Sequence, residues 1–155
     1  MEYINPLFSD SGKVLKDEQT RRKRVRNEKN GRAVRSDKTH SIKFPVTPVS
    51  QMKLRSHLRQ AKRLYPHKNL TQTTFNTLLL RYGMNHPEII KWNQPYRDTK
   101  VYMHTKILKK EYEIYFGPHG FSVQKNMSDR KAVHHIILSV LSWLERGGTY
   151  EEIIQ

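Results

Sequence analysis

The chain has 155 residues, 29 Lys or Arg against 14 Asp or Glu, a formal charge of +15 and no cysteine. That size suits one domain with tails rather than a large enzyme, and the missing cysteines exclude disulfides and thiolate-based zinc, iron-sulfur or nucleophilic sites. With 35% hydrophobic residues there is material for one modest core or two small ones.

No apolar run approaches the ~20 residues of a bilayer span; the longest candidate, residues 132–144, carries two His and two Ser. The first residues lack the basic-then-apolar layout of a signal peptide, so the expected location is cytoplasmic, with no membrane partner. A charge this positive calls for a polyanionic partner. Nucleic acid is favoured over a membrane surface, because no amphipathic stretch combines bulky apolar residues with a purely basic face.

Residues 1–39 hold 11 basic and 6 acidic side chains and include Arg21, Arg22, Arg24 and Arg26 in a run that has few spaced apolar residues. Residues 1–38 read as a flexible basic arm. Its arginines would bind phosphates, adding salt-dependent and mostly sequence-blind affinity. Gly31 and the lack of a following leucine heptad argue against a leucine-zipper basic region.

Residues 40–82 hold 8 basic and no acidic side chains. A helix surface that serves solubility alone usually mixes both signs, so this uncompensated positive stretch points to a nucleic-acid face. Residues 39–46 alternate, with Ile42, Phe44 and Val46 on one side and Ser41, Lys43 and Pro45 on the other, which predicts a half-buried strand. Thr47-Pro48 then supplies a capping hydroxyl and a proline at the first helical position. The predicted helix carries Leu54, Leu58, Ala61 and Tyr65 on its apolar face, and Lys53, Arg55, Arg59, Lys62 and Arg63 elsewhere, until Pro66 breaks it. Lys53, Arg55 and Arg59 have no acidic neighbour in the sequence and are candidate phosphate contacts. Thr71 is predicted to cap a second helix with Phe75, Leu78, Leu79 and Tyr82 inward, and Gly83 to stop it. A lone strand and two helices cannot satisfy the strand's hydrogen bonds or bury both stripes. Pairing with a second copy would, giving a dimer core of Ile42, Phe44, Val46, Leu58, Phe75, Leu78 and Leu79.

The alternating strand, the Thr47-Pro48 start and Leu70-Thr71-Gln72-Thr73 at the second helix resemble the ribbon-helix-helix family of DNA-binding proteins, the MetJ and Arc type, over residues 39–83. The resemblance implies a two-stranded antiparallel ribbon in the major groove of duplex DNA, with outward strand residues reading base edges. On this chain those are Ser41, Lys43 and Pro45, with Thr39. It also implies a phosphate at the start of the second helix, on Thr71 and Thr73. Pro45 stands where the family more often has a hydrogen-bonding side chain, shifting readout toward Lys43 and Ser41.

Residues 83–155 hold 10 basic and 8 acidic side chains. After a connector at residues 85–99, residues 100–108, 111–116 and 121–124 are predicted as three short strands, and Ser128-Asp129 as the start of a helix through Leu144. That helix is apolar on more than one side, so part of it is expected to meet another subunit or a partner. Adjacent His134 and His135 point about 100° apart on a helix, unsuited to shared metal binding. Glu111 and Glu113 lack any phosphate loop or metal cluster nearby. No catalytic residue, metal or cofactor is expected, and the protein is read as not an enzyme.

The expected fold is α+β: the basic arm at 1–38, a ribbon-helix-helix unit at 39–84, the connector at 85–99, and a small β-meander plus helix domain at 100–155. The expected function is sequence-specific binding of double-stranded DNA as a homodimer or tetramer. Among ribbon-helix-helix proteins with an added C-terminal domain, the favoured resemblance is to relaxosome accessory proteins of plasmid conjugation. These bind near an origin of transfer and assist a relaxase; a relaxase or coupling protein would then dock on the C-terminal domain. The alternatives are a plasmid repressor of transcription or copy number, and an RNA-binding protein using the arginine-rich arm. A helix-turn-helix with residues 71–82 as recognition helix would leave the strand without a purpose.

Overall fold

The computed structural model describes Arg35 and residues 37–155. The arm arginines Arg21, Arg22, Arg24 and Arg26 lie outside the described residues. Strand β1, Thr39–Pro45, forms where alternation places it, with Ile42 and Phe44 inward. Its partner is not a second copy. It pairs antiparallel with β2, Tyr102–Leu108, of the same chain, in a register that sets Ile42 opposite Thr105. Val46 N donates to Val101 O at 2.9 Å and Lys109 N to Lys38 O at 2.8 Å, extending the ladder at both ends.

Helix α1, Pro48–Leu64, starts as its residues dictate: Thr47 Oγ1 accepts the Ser50 amide at 3.2 Å and Pro48 occupies the first turn. It buries Leu54, Leu58 and Ala61. After a single 3₁₀ turn at Pro66–Lys68, α2, Gln72–Asn85, starts from Thr71, whose Oγ1 accepts the Thr74 amide at 3.2 Å. Gly83 does not end this helix. It lies inside α2, where a Cβ would fall 2.4 Å from Ile136 Cγ2, so a close helix crossing rather than a C-terminal stop explains the glycine.

The second part of the chain departs most from expectation. Residues 111–116 and 121–124 are not strands but helices α3, Lys109–Phe116, and α4, Phe121–Gln124. Glu111, in the first turn of α3, accepts the Leu108 amide at 2.8 Å, and Tyr112 stacks on Phe116 one turn later. Helix α5, Asp129–Glu145, begins at Ser128, whose side chain accepts the Lys131 amide at 3.3 Å. α6, Tyr150–Ile154, ends the chain with Ile153 and Ile154 buried. Among the described residues no helix is long and apolar enough to cross a membrane.

Residues 37–155 form one unit, so the expected break at residues 85–99 does not separate two cores. α2 packs on β2 and against α5, and α5 packs on β1. The extra apolar faces of α5 are covered by its own chain: Ala132, Val133, Ile136, Ile137, Val140, Leu141 and Leu144 are buried. The predicted dimer residues Ile42, Phe44, Val46, Leu58, Phe75 and Leu79 are buried in this same core, with Leu78 half-buried against it. A full burial such as that of Phe44 or Phe75 is worth about 1.5 to 3 kcal/mol. It is achieved here without a second subunit.

The element order is strand, helix, helix, taken twice: β1, α1, α2 and then β2, α3 with α4, α5. Each half's last helix lies on the other half's strand. Antiparallel pairing about Ile42 and Thr105 relates the two strands by a local two-fold axis.

Candidate nucleic-acid interface

One face of the β1–β2 ribbon packs on α2 and α5; the other is open. Thr39, Ser41 and Lys43 of β1 are exposed there, as alternation predicts, together with His104 and Lys106 of β2. Across the strands Ser41 faces Lys106 and Lys43 faces His104. Pro45 is the exception. It is buried, and its carbonyl oxygen accepts from His134 Nδ1 at 3.0 Å, because α5 closes over this end of β1; it cannot read bases. The same alternation over residues 100–108 marks His104 and Lys106 as outward, but no local pattern in the sequence brings that strand beside β1, which only the fold does.

The outer edge of β2 is closed by α2. The bonds at the ladder's ends place the Lys106 amide and the His104 carbonyl on the far edge of β2. Thr77 Oγ1 accepts the Lys106 amide at 2.8 Å, and Asn76 Nδ2 donates to His104 O at 3.2 Å. The outward side chains of β2 are thereby carried on a backbone held from both sides. On β1 the corresponding edge at Ser41 and Lys43 borders a groove of about 650 Å³, lined also by Tyr96, His104, Asp129 and Arg130.

Basic and aromatic groups meet at the end of the ribbon beside that groove. Lys43 Nζ lies 4.7 Å and the Arg130 guanidinium 5.0 Å from the centre of the Tyr102 ring. The Tyr102 hydroxyl donates to Asp98 at 2.7 Å, which holds the Asp98 carboxyl below and lifts the Tyr102 hydroxyl above its usual range. Arg130 pairs with Asp98 at 3.7 Å. Asp129 accepts from the Tyr112 hydroxyl at 2.6 Å, a bond that raises the Tyr112 pKa. The two carboxylates at this end are thus engaged with neighbours, while Lys43, His104 and Lys106 remain exposed on the open face.

On α1, Arg55 and Arg59 are exposed and have no carboxylate partner among the described residues. Lys53 differs from expectation. Its ammonium pairs with Glu145 at 2.9 Å, because the last turn of α5 comes alongside α1. At the start of α2, Thr71 is exposed and Thr73 half-buried. The Thr71 hydroxyl is occupied as the cap, and the Thr73 carbonyl accepts from Thr77 Oγ1 at 2.7 Å.

The two histidines of α5 serve the fold. His134 Nδ1 and Nε2 lie 3.0 and 3.3 Å from the carbonyl oxygens of Pro45 and Pro95. His135 is fully buried, and neither ring nitrogen has a hydrogen-bond partner; burial, with the charges of His134 and Lys131, pushes its pKa down to about 4. Among the described residues no group of three or more His, Asp or Glu side chains converges to hold a metal ion. Compared with known protein families, curated proteins and solved structures, the chain matches none.

Proposed function

We propose that this protein binds double-stranded DNA sequence-specifically, in the manner of ribbon-helix-helix proteins, by laying the open face of the β1–β2 ribbon in the major groove. The observation that carries this reading is the outward row Ser41, Lys43, His104 and Lys106 on an antiparallel two-stranded ribbon whose other face is buried. Such a ribbon fits the B-DNA major groove, about 12 Å wide, where lysine recognises the O6 and N7 acceptors of guanine. Arg55, Arg59 and the arginines of residues 21–26 supply phosphate contacts, which fix position but not sequence.

The biological role is proposed on resemblance: an accessory protein that binds near a plasmid transfer origin and assists a relaxase, with plasmid repressor as the alternative. Fold alone does not dictate role. The partner surface would not be α5, which is buried. Exposed apolar side chains lie instead on α1, at Val49, Met52 and Leu64, and on α3, at Ile114.

The test is a footprint and salt-titrated binding assay on duplex DNA around the protein's own gene. Lys43→Ala should cost about 1 to 3 kcal/mol of discrimination between specific and random duplex. Joint Arg21, Arg22, Arg24 and Arg26 to Ala should weaken both equally and flatten the salt slope. A protected site beside a nick site supports the accessory role; one over a promoter supports the repressor. RNA binding is a second reading, favoured by the cations Lys131 and Arg130 placed beside the Tyr96 and Tyr102 rings, the two kinds of group that bind unpaired nucleotides. It would be adopted if only RNA were bound and the arm substitutions abolished binding.

A further inference from the structure

We propose that a single chain reads one non-palindromic duplex site, with His104 and Lys106 of β2 forming the second half of the base-reading face opposite Ser41 and Lys43 of β1. This rests on the duplex-reading function proposed above and adds its stoichiometry, the symmetry of its site and two reading residues.

The local two-fold axis through the Ile42 and Thr105 pair exchanges β1 and β2. It carries Thr39 onto Tyr102, Ser41 onto His104, and Lys43 onto Lys106. In a homodimeric ribbon the two rows are identical, so symmetry of the protein imposes inverted symmetry on the site. Here only the lysine recurs. Ser41 presents a short hydroxyl where His104 presents an imidazole, and Thr39 is exposed where Tyr102 is half-buried under Lys43 and Arg130. Each half of the ribbon therefore offers its own donors and acceptors. The DNA should match at the two lysine positions and differ between them.

The flanks break the symmetry in the same sense. β1 leads into α1, 17 residues long, with exposed Arg55 and Arg59. β2 leads into α3, 8 residues long, where Glu111 and Glu113 accompany Lys109 and Lys110. Phosphate attraction is thus stronger beside one strand than the other, which gives the bound chain a direction along the duplex. A second copy is not needed to complete the ribbon or core. β1 has its partner within the chain, the far edge of β2 is closed by Asn76 and Thr77, and the inward residues of both strands are covered by α2 and α5.

The experiment is selection from a random duplex library with the full chain, at roughly physiological salt. Native mass spectrometry of the complex on the selected duplex follows. The expected result is a motif without inverted repeats and one chain per duplex. Lys106→Ala and Ser41→Ala, which face each other across the ribbon, should relax preference in one half of the motif, and Lys43→Ala and His104→Ala in the other. Each lysine change should lose roughly 5- to 150-fold in discrimination. All four side chains are exposed, and thermal melting identical to wild type would certify each variant's fold. A palindromic motif bound by two chains overturns the inference while leaving duplex reading intact. So does a motif indifferent to His104→Ala and Lys106→Ala but sensitive to Lys43→Ala. A selection that returns no duplex motif overturns the duplex-reading function itself, and this inference with it.

Discussion

Thr77 Oγ1 accepts the amide of Lys106 at 2.8 Å while donating to the carbonyl of Thr73 at 2.7 Å. One hydroxyl thus ties the reading strand β2 to the first turns of α2. Thr77 is buried, so replacing it with the isosteric Val leaves the Lys106 N–H on a covered strand edge without a partner. An unsatisfied group of this kind costs about 1 to 3 kcal/mol. Thr77→Val should lower the urea midpoint accordingly and speed hydrogen exchange at the Lys106 amide, whereas Thr77→Ser should restore most of both. Unchanged exchange at Lys106 in the Val variant would show that the bond does not hold the edge.

What was legible in the residues is what short-range chemistry controls. Thr47, Thr71 and Ser128 each cap a helix, and each accepts the amide three residues on, as hydroxyl-before-helix spacing dictates. β1 follows from strict alternation. Its partner did not, because β2 lies some sixty residues away in sequence and no local pattern announces a pairing over that distance. A strand without a visible mate therefore looked like half of a dimer. The misread strands at 111–116 and 121–124 have another cause. Short aromatic runs fit either period; in the fold Glu111 accepts the Leu108 amide at the start of α3, and Tyr112 and Phe116 stack one helical turn apart. The Lys53 pair with Glu145 was hidden for the same reason as β2: its two ends meet only in the fold.

Gly83 is required by packing. A methyl group there would sit 2.4 Å from Ile136 Cγ2 and 3.0 Å from Val140 Cγ2. Both belong to buried, β-branched residues whose side chains have one strongly preferred rotamer in a helix. Alanine would improve helix propensity by up to about 1 kcal/mol, yet overpacking of this kind costs about 1 to 3 kcal/mol. Gly83→Ala should therefore be net destabilising in chemical denaturation. Combined with Ile136→Ala, which removes the clashing methyl, its effect should shrink or reverse sign, giving a favourable coupling in the double-mutant cycle. Simple additivity would place the strain elsewhere.

His135 makes stability depend on acidity. Its folded pKa is depressed to about 4 from an ordinary 6.5, because burial disfavours the charged ring. The unfolded chain therefore binds more protons between those values. Stability is fully present above pH 6.5 and is lost as pH falls toward 4, by on the order of 2 to 4 kcal/mol in all. His57, also lowered mainly by burial, acts in the same direction. Denaturation midpoints measured across this window should fall with acidification in the wild type and fall less in His135→Met. Parallel curves for the two proteins would assign the acid sensitivity to other groups.

Lys53, Arg55 and Arg59 share one helix but should not contribute equally to DNA affinity. The Lys53 ammonium is held 2.9 Å from Glu145, so meeting a phosphate requires breaking that pair or bringing a carboxylate near the backbone. Arg55 and Arg59 have no such partner among the described residues. If α1 lies along the duplex backbone, Arg55→Ala and Arg59→Ala should each weaken binding to specific and random duplex alike and reduce the salt slope by about 1. Lys53→Ala should change the slope less, and Glu145→Gln should strengthen binding by releasing the Lys53 charge and removing an opposing one. These slopes come from titrating salt at fixed duplex length. Equal slope changes for all three cations would mean the Lys53 pair opens at no cost, and no change for Arg55 and Arg59 would take α1 out of the interface.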